Sequence, residues 1–230
     1  MLQLERQKQI LKIMTERKSM TVKELCAEIY ASPATVRRDL KELEKEGYIT
    51  RSFGGAVLNG VFPNQVPSSV REKEDAAEKK KLSAKAASLV RSGETVFIDG
   101  STTTFYMAQY LKDIPDITVI TNNPKLCLKL AEYGVRSFCT GGEMLNESMV
   151  FAGTQAEEYV RGIRAHKFFF SARGADKRVI TDSCIYQRNI KRAMLECADE
   201  SIFLCGKNKF EKTYSYVVTD IDKITKIKFE

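Results

Sequence analysis

The stretch SPATVRRDLKELEKEGYITRSFGGAV, from Ser32 to Val57, reads as an amphipathic helix followed directly by a β-hairpin. Ser32 is a good N-cap, and Pro33 at the first helical position forfeits no intrahelical hydrogen bond. At about 100° per residue, Val36, Leu40 and Leu43 fall on one face. Ala34, Arg38, Lys41 and Lys45 fall opposite, with Arg37 beside them. One side is built to pack and the other carries positive charge. A solvated charged surface would look the same in this helix taken alone, so its neighbours decide the reading.

Upstream, Leu4 to Lys18 carries Leu4, Ile10, Leu11, Ile13 and Met14 at spacings that predict an amphipathic first helix. A short loop containing Ser19 follows. Thr21 then N-caps a second helix, TVKELCAEIY, with Val22, Leu25, Cys26 and Ile29 on its apolar face and Glu24 as the capping-box acid. Helix, helix, tight turn, basic helix and hairpin is the winged helix-turn-helix order, in which the last helix enters the major groove of duplex DNA. The expected DNA-facing set is Ser32, Ala34, Thr35, Arg37, Arg38, Lys41, Arg51 and Ser52. Arg37, Arg38 and Lys41 are placed at base edges, and Thr35 with the wing residues Arg51 and Ser52 at phosphates.

The 230 residues suit one small and one medium unit, each with a core of its own. The net charge of +7 is modest, and residues 1–60 hold 11 Lys/Arg against 8 Asp/Glu. Placement of the cations therefore carries the nucleic-acid reading, not their sum. No window approaches the roughly 18 apolar residues of a membrane span. MLQLERQKQI has no signal-peptide character, so a cytoplasmic protein is expected. The six cysteines, Cys26, Cys127, Cys139, Cys184, Cys197 and Cys205, contain no C-x-x-C pair, and His166 is the one histidine. That pattern fits buried thiols in a reducing compartment and predicts no metal or cofactor.

Residues 1–57 are expected to form the winged unit, 58–71 a linker, and 72–230 a second domain. Pro63, Pro67, Ser68 and Ser69 interrupt regular structure in the linker, where a rearrangement between domains could be absorbed. From about Glu72 to Arg91 the pattern is helical, with an apolar stripe of Leu82, Ala86, Leu89 and Val90. Beyond Gly93, short β-rich runs (TVFID, ITVIT, VRSFCT, KFFFSA, SIFLC, YVVT) alternate with helical runs. The fold class is therefore α/β, a mostly parallel sheet with helices on both faces, whose ligands bind beyond the carboxyl ends of the strands.

At those ends TVFID, closing on Asp99, runs into Gly100, Ser101, Thr102, Thr103 and Thr104, then into a helix expected to begin near Phe105. Hydroxyls and backbone N–H groups at a helix N-terminus make an anion site, with phosphate the natural guest, although Ser and Thr also cap helices that bind nothing. The second strand ends in Thr121 and Asn122, the third in Thr140, Gly141 and Gly142. Lys191, Arg192, Lys207 and Lys209 are candidate phosphate cations, and spacing does not choose among them.

ERQKQIL, the T-V-x-E-L spacing, TVRRDLKELEKEG and the R-x-F-G-G-A-V wing resemble the DeoR family of bacterial transcription regulators. The resemblance continues through FIDGSTTT, VITNN, TGG, IKRAM and NKF, and so covers nearly the whole chain. It implies a carboxy-terminal domain resembling the ribose-5-phosphate isomerase and CoA-transferase fold, acting as a sensor of phosphorylated sugars. It further implies a homo-oligomeric repressor, a dimer or tetramer, on a double-stranded DNA operator. By motif match the effector set is Asp99, Gly100, Ser101, Thr102, Thr103, Thr104, Thr121, Asn122, Gly141, Gly142 and Lys209. The family's D-S-G-T-T is here Asp99-Gly100-Ser101-Thr102-Thr103, its G-A-D-G ends in Lys177, and its A-D-x-S-K-F reads Cys205 to Phe210. Two other classes stay open: an isomerase using Asp99, Asp176, Lys177, Asp182 and Glu196, or a DNA-binding protein without a ligand.

Overall fold

The computed structural model describes residues 2–59 and 68–229. The chain divides into two compact units, Met1–Glu74 and Asp75–Glu230.

The first unit contains α1 (Gln3–Arg17), β1 (Ser19–Thr21), α2 (Val22–Ile29), α3 (Pro33–Lys45), β2 (Ile49–Ser52), β3 (Gly55–Leu58) and α4 (Ser68–Lys73). Both expected N-caps form. The Thr21 hydroxyl accepts the Glu24 N–H while the Glu24 carboxylate accepts the Thr21 N–H, and the Ser32 hydroxyl accepts the Thr35 N–H. Ile10, Met14, Leu25, Ile29, Val36, Leu40 and Leu43 close the core between the three helices.

The loop expected around Ser19 is instead the strand β1, pairing antiparallel with β3 in a sheet of order β1-β3-β2. Three residues are too few to show a period, and the pairing depends on a distant glycine: a Cβ on Gly55 would collide with the Met20 carbonyl oxygen. Of the linker expected at 58–71, residues 60–67 lie outside the described residues; Leu58 closes β3 and Ser68 opens α4. Helix α4 buries Val70 in the core of the first unit, and Lys73 pairs with Glu46. The single helical run expected over 72–91 is thus broken at Asp75, which takes a left-handed conformation with φ 50°. Its second part is α5 (Ala76–Ala87).

In the second unit β4 (Thr95–Ile98), α6 (Ala108–Leu111), β5 (Thr118–Thr121), α7 (Pro124–Glu132) and β6 (Arg136–Cys139) come first. A hairpin of β7 (Glu143–Leu145) and β8 (Val150–Ala152), then α8 (Thr154–Arg161) and β9 (Ala165–Phe170), follow. The chain ends with β10 (Gly174–Ala175), β11 (Val179–Asp182), α9 (Ile185–Glu196), β12 (Ala198–Cys205), β13 (Tyr216–Asp220) and β14 (Lys226–Phe229).

The main sheet is six-stranded and parallel throughout, in the order β14-β12-β9-β4-β5-β6. Its central strands read as near-continuous apolar runs because both faces are covered. Val96, Ile98, Phe169, Ile202 and Leu204 face one core cluster, while Phe97, Phe168, Phe170 and Phe203 face the other. YVVT, expected among the parallel strands, is instead the edge strand β13 of a separate antiparallel sheet, β10-β11-β13, and β14 takes the edge of the main one. Alternation of β-branched residues identifies a strand but not the sheet it joins. The chain runs outward to β5 and β6 on one side of β4, and to β9, β12 and β14 on the other. The carboxyl ends of β4 and β9 therefore flank the crevice where the strand order reverses.

Candidate functional site

In the first unit α3 is seated by Val36, Leu40 and Leu43, and by the buried carboxylate of Asp39, which accepts from Arg6 Nε of α1 at 2.8 Å. That fixes which side of α3 turns outward. Ser32, Ala34, Arg37, Arg38 and Lys41 are exposed on it, and Thr35 is half-buried with its hydroxyl 2.9 Å from that of Ser32. None of Arg37, Arg38 and Lys41 forms an ion pair among the described residues. The outward face is a ridge of exposed cations.

The wing carries Arg51, Ser52, Phe53 and Gly54, all exposed. Arg51 does not stand alone: its Nε lies 2.7 Å from Glu44 Oε2, and its backbone N–H donates to Glu44 Oε1 at 2.9 Å. Those two bonds hold the Glu44 carboxyl below the ordinary carboxylate range. They also tie the wing to α3. No helical spacing could have paired residues 44 and 51, since a turn separates helix from strand. The Arg6–Asp39 pair, 33 residues apart, is equally invisible to local spacing.

In the second unit the expected strand-end residues come together at one edge. Asp99 is buried, and its carboxylate accepts the Ser101 N–H at 3.2 Å, the Thr104 hydroxyl at 2.8 Å and the Ser171 N–H at 3.3 Å. Ser101 Oγ in turn accepts the Thr104 N–H, so the hydroxyl loop closes largely on itself. The helix expected from Phe105 is a 3-10 turn over Thr104–Met107 followed by only four α-helical residues in α6. So short a helix has little dipole to offer an anion. Thr102 and Thr103 are buried, and the Thr103 carbonyl accepts the Ser83 hydroxyl at 2.6 Å.

Gly100 lies under Val150, whose side chain leaves no room for a Cβ. Buried Thr121 accepts the Asn123 N–H. Asn122 donates from Nδ2 to the Phe151 carbonyl at 2.8 Å and accepts the Phe151 N–H on its own carbonyl, which clamps β8 to the end of β5. Asn122 Oδ1 is buried and has no hydrogen-bond partner. Gly141 and Gly142 have φ of 65° and 103°, and a Cβ at Gly142 would lie 2.6 Å from the Ala152 carbonyl oxygen. Both glycines thus serve the backbone of the β6–β7 connection.

The candidate cations separate by environment. Lys191 is buried, 3.0 Å from Asp182 Oδ2 and 3.6 Å from Asp99 Oδ2. Burial pushes its pKa down, but the two carboxylates outweigh burial and hold the ammonium above the ordinary lysine value. Arg192 and Lys207 are exposed. Lys209, in a one-turn 3-10 helix over Lys207–Lys209, is half-buried with Nζ 2.8 Å from Ser171 Oγ and 3.4 Å from Thr103 Oγ1. It is the lysine whose ammonium meets hydroxyls at the strand ends.

Three of the four carboxylates of the isomerase alternative are otherwise engaged. Asp176 accepts the N–H groups of Arg178 and Val179, each at 2.8 Å, and these hold its carboxyl below the ordinary range. Asp182 and Asp99 bind Lys191, while Lys177 and Glu196 are exposed. All six cysteines are free; only Cys205 is fully buried, and burial pushes its thiol up to about 11. Among the described residues no group of three or more His, Cys, Asp and Glu could hold a metal ion, and no helix is long and apolar enough to cross a membrane.

Residues 6–61 match the DeoR-like helix-turn-helix domain, and residues 74–228 match the DeoR C terminal sensor domain. The chain belongs to the DeoR family of transcriptional regulators. It is 36% identical to the uncharacterized HTH-type transcriptional regulator YulB of Bacillus subtilis (strain 168), over 95% of this chain and 86% of that protein. It is 29% identical to a putative aga operon transcriptional repressor of Escherichia coli O157:H7, over 97% and 84%. To the lactose phosphotransferase system repressor of Staphylococcus aureus (strain N315) it is also 29% identical, over 90% and 84%. A ribose 5-phosphate isomerase from Plasmodium falciparum aligns at 13% identity with a TM-score of 0.44, covering 60% of this chain and 53% of that one. So partial an overlap says nothing about chemistry. As a member of this family the regulator is a DNA-binding protein and not an enzyme.

Proposed function

We propose that this regulator is a cytoplasmic repressor of a sugar-metabolism operon, binding its operator as a homo-oligomer and released by a phosphorylated sugar. The observation that carries the DNA half is the row of exposed cations on α3 that form no ion pair among the described residues. A cationic helix face with no internal partner gains most from a polyanion, and Arg in the major groove can read guanine edges bidentately. Two such helices on a symmetric oligomer would enter successive major grooves, so the operator would be a palindrome. The aga and lactose phosphotransferase repressors among its relatives support a sugar operon.

The effector half rests on Lys209. Its ammonium meets Ser171 and Thr103 hydroxyls beside the crevice where the strand order reverses. A point charge among hydroxyls suits a phosphate. The effector favours an arrangement in which the recognition helices no longer match the operator spacing.

The test is fluorescence anisotropy on a duplex selected from a random pool with the wild-type protein, titrated with five- and six-carbon sugar phosphates. One of these should release the DNA and raise the melting temperature, and Lys209→Ala should bind the duplex normally while losing both responses. DNA binding indifferent to every phosphorylated sugar would leave a ligand-independent DNA-binding protein.

A further inference from the structure

Tyr30 ends α2 in the left-handed conformation, with φ 50° and ψ 47°, and its backbone N–H returns to the Cys26 carbonyl. A turn of this kind needs only a backbone, and Gly or Asn occupies it with less strain than a side chain bulky at Cβ. The ring contributes nothing to the core, since Tyr30 is 95% exposed. Nor does its hydroxyl have a hydrogen-bond partner among the described residues. A strained backbone that carries an exposed aromatic is a reason to look for a binding role outside the fold.

Its position supplies one. Tyr30 lies two residues before Ser32, the N-cap of α3, and so beside the end of the recognition helix whose first residues reach base edges. In this motif the helix before the recognition helix crosses the phosphate backbone, Tyr30 is the residue that ends it, and a tyrosine hydroxyl is one of the donors phosphates accept. Exposed Ser32, Ala34, Arg37 and Arg38 continue the same surface.

We propose that Tyr30 is a DNA-backbone contact, its hydroxyl donating to a phosphate oxygen at the edge of the groove that α3 enters. The proposal rests on α3 being the DNA-reading helix and adds to it a residue chosen for the complex at the expense of the turn.

The experiment uses the full chain, a duplex selected from a random pool with the wild-type protein, and a random duplex of equal length. Tyr30→Phe removes only the hydroxyl and should weaken binding to both duplexes about three- to tenfold. The slope of log affinity against log salt should not change, because no charge is lost. Tyr30→Gly should bind at least as weakly while its melting temperature stays level or rises, which separates lost contact from lost fold. Both variants binding within about twofold of wild type would overturn the proposal. So would a loss confined to the selected duplex, or an altered oligomeric state with DNA affinity unchanged. If the wild-type protein binds neither duplex, the DNA-reading assignment of α3 fails first and takes the proposal with it.

Discussion

Arg37, Arg38 and Lys41 stand exposed on α3 without ion pairs among the described residues, whereas Lys167 and Lys191 of the α/β unit are buried against carboxylates, Glu94 for the first and Asp99 with Asp182 for the second. The same residue types have opposite roles. An exposed cation is stabilised by water and contributes little to folding, which leaves its charge available to an incoming polyanion. A buried cation must be neutralised in place, so its charge is spent within the fold. Lys209 stands between these extremes, half-buried and meeting hydroxyls.

Replacing Lys191 probes the buried side and should have the largest effect. Lys191→Met strands two carboxylates in the crevice and should cost about 3–5 kcal/mol, a fall on the order of 10 °C in the melting of the α/β unit. Adding Asp182→Leu should recover part of that loss, and calorimetry of the single and double variants reads the coupling. If Lys191→Met melts like wild type, the buried network does not stabilise the fold and the comparison breaks.

Asp39→Ala is the counterpart in the winged unit. It leaves Arg6 partly buried without its carboxylate and should cost about 2–4 kcal/mol, seen as an earlier thermal transition by circular dichroism. Arg38→Ala should do the reverse: stability within about 0.5 kcal/mol of wild type, but roughly 1–3 kcal/mol less affinity for the selected duplex, with relaxed specificity at one base pair. Equal loss on selected and random DNA would refute its assignment to a base edge.

Arg51→Ala should give the smallest change. Its guanidinium braces Glu44, and its loss should lower affinity on all duplexes alike and reduce the salt slope by roughly one. Because the Glu44 carboxyl is held below its ordinary value, the brace contributes at neutral pH and is lost as pH falls through that lowered value. Wing mobility measured by NMR should rise on acidification in wild type, and should start higher and rise less in Arg51→Ala, which keeps only the backbone N–H bond to Glu44.

Legibility followed the range of the interactions. The caps at Thr21 and Ser32, the apolar face of α3, the wing and the strands β4, β5, β6, β9 and β12 all came from neighbours a few residues apart, where local propensity and period apply. The strand β1, the transfer of β13 to a second sheet and the break before α5 did not, because each depends on a distant contact or on one residue's backbone. In the strand-end site the grouping of Asp99, Thr121, Asn122 and Gly142 was visible from their positions at strand ends. That Asp99 would hold its own loop, and that Asn122 would clamp β8, was not.

The sequence by itself determined a winged helix-turn-helix followed by a parallel α/β unit, because capping, helical period and strand-helix alternation are local and repeat along the chain. Only the tertiary structure decided which cations stay free and which are neutralised. An ion pair such as Lys191 with Asp99 joins residues 92 positions apart, and burial, the quantity that separates a structural charge from an available one, exists only once the chain has folded.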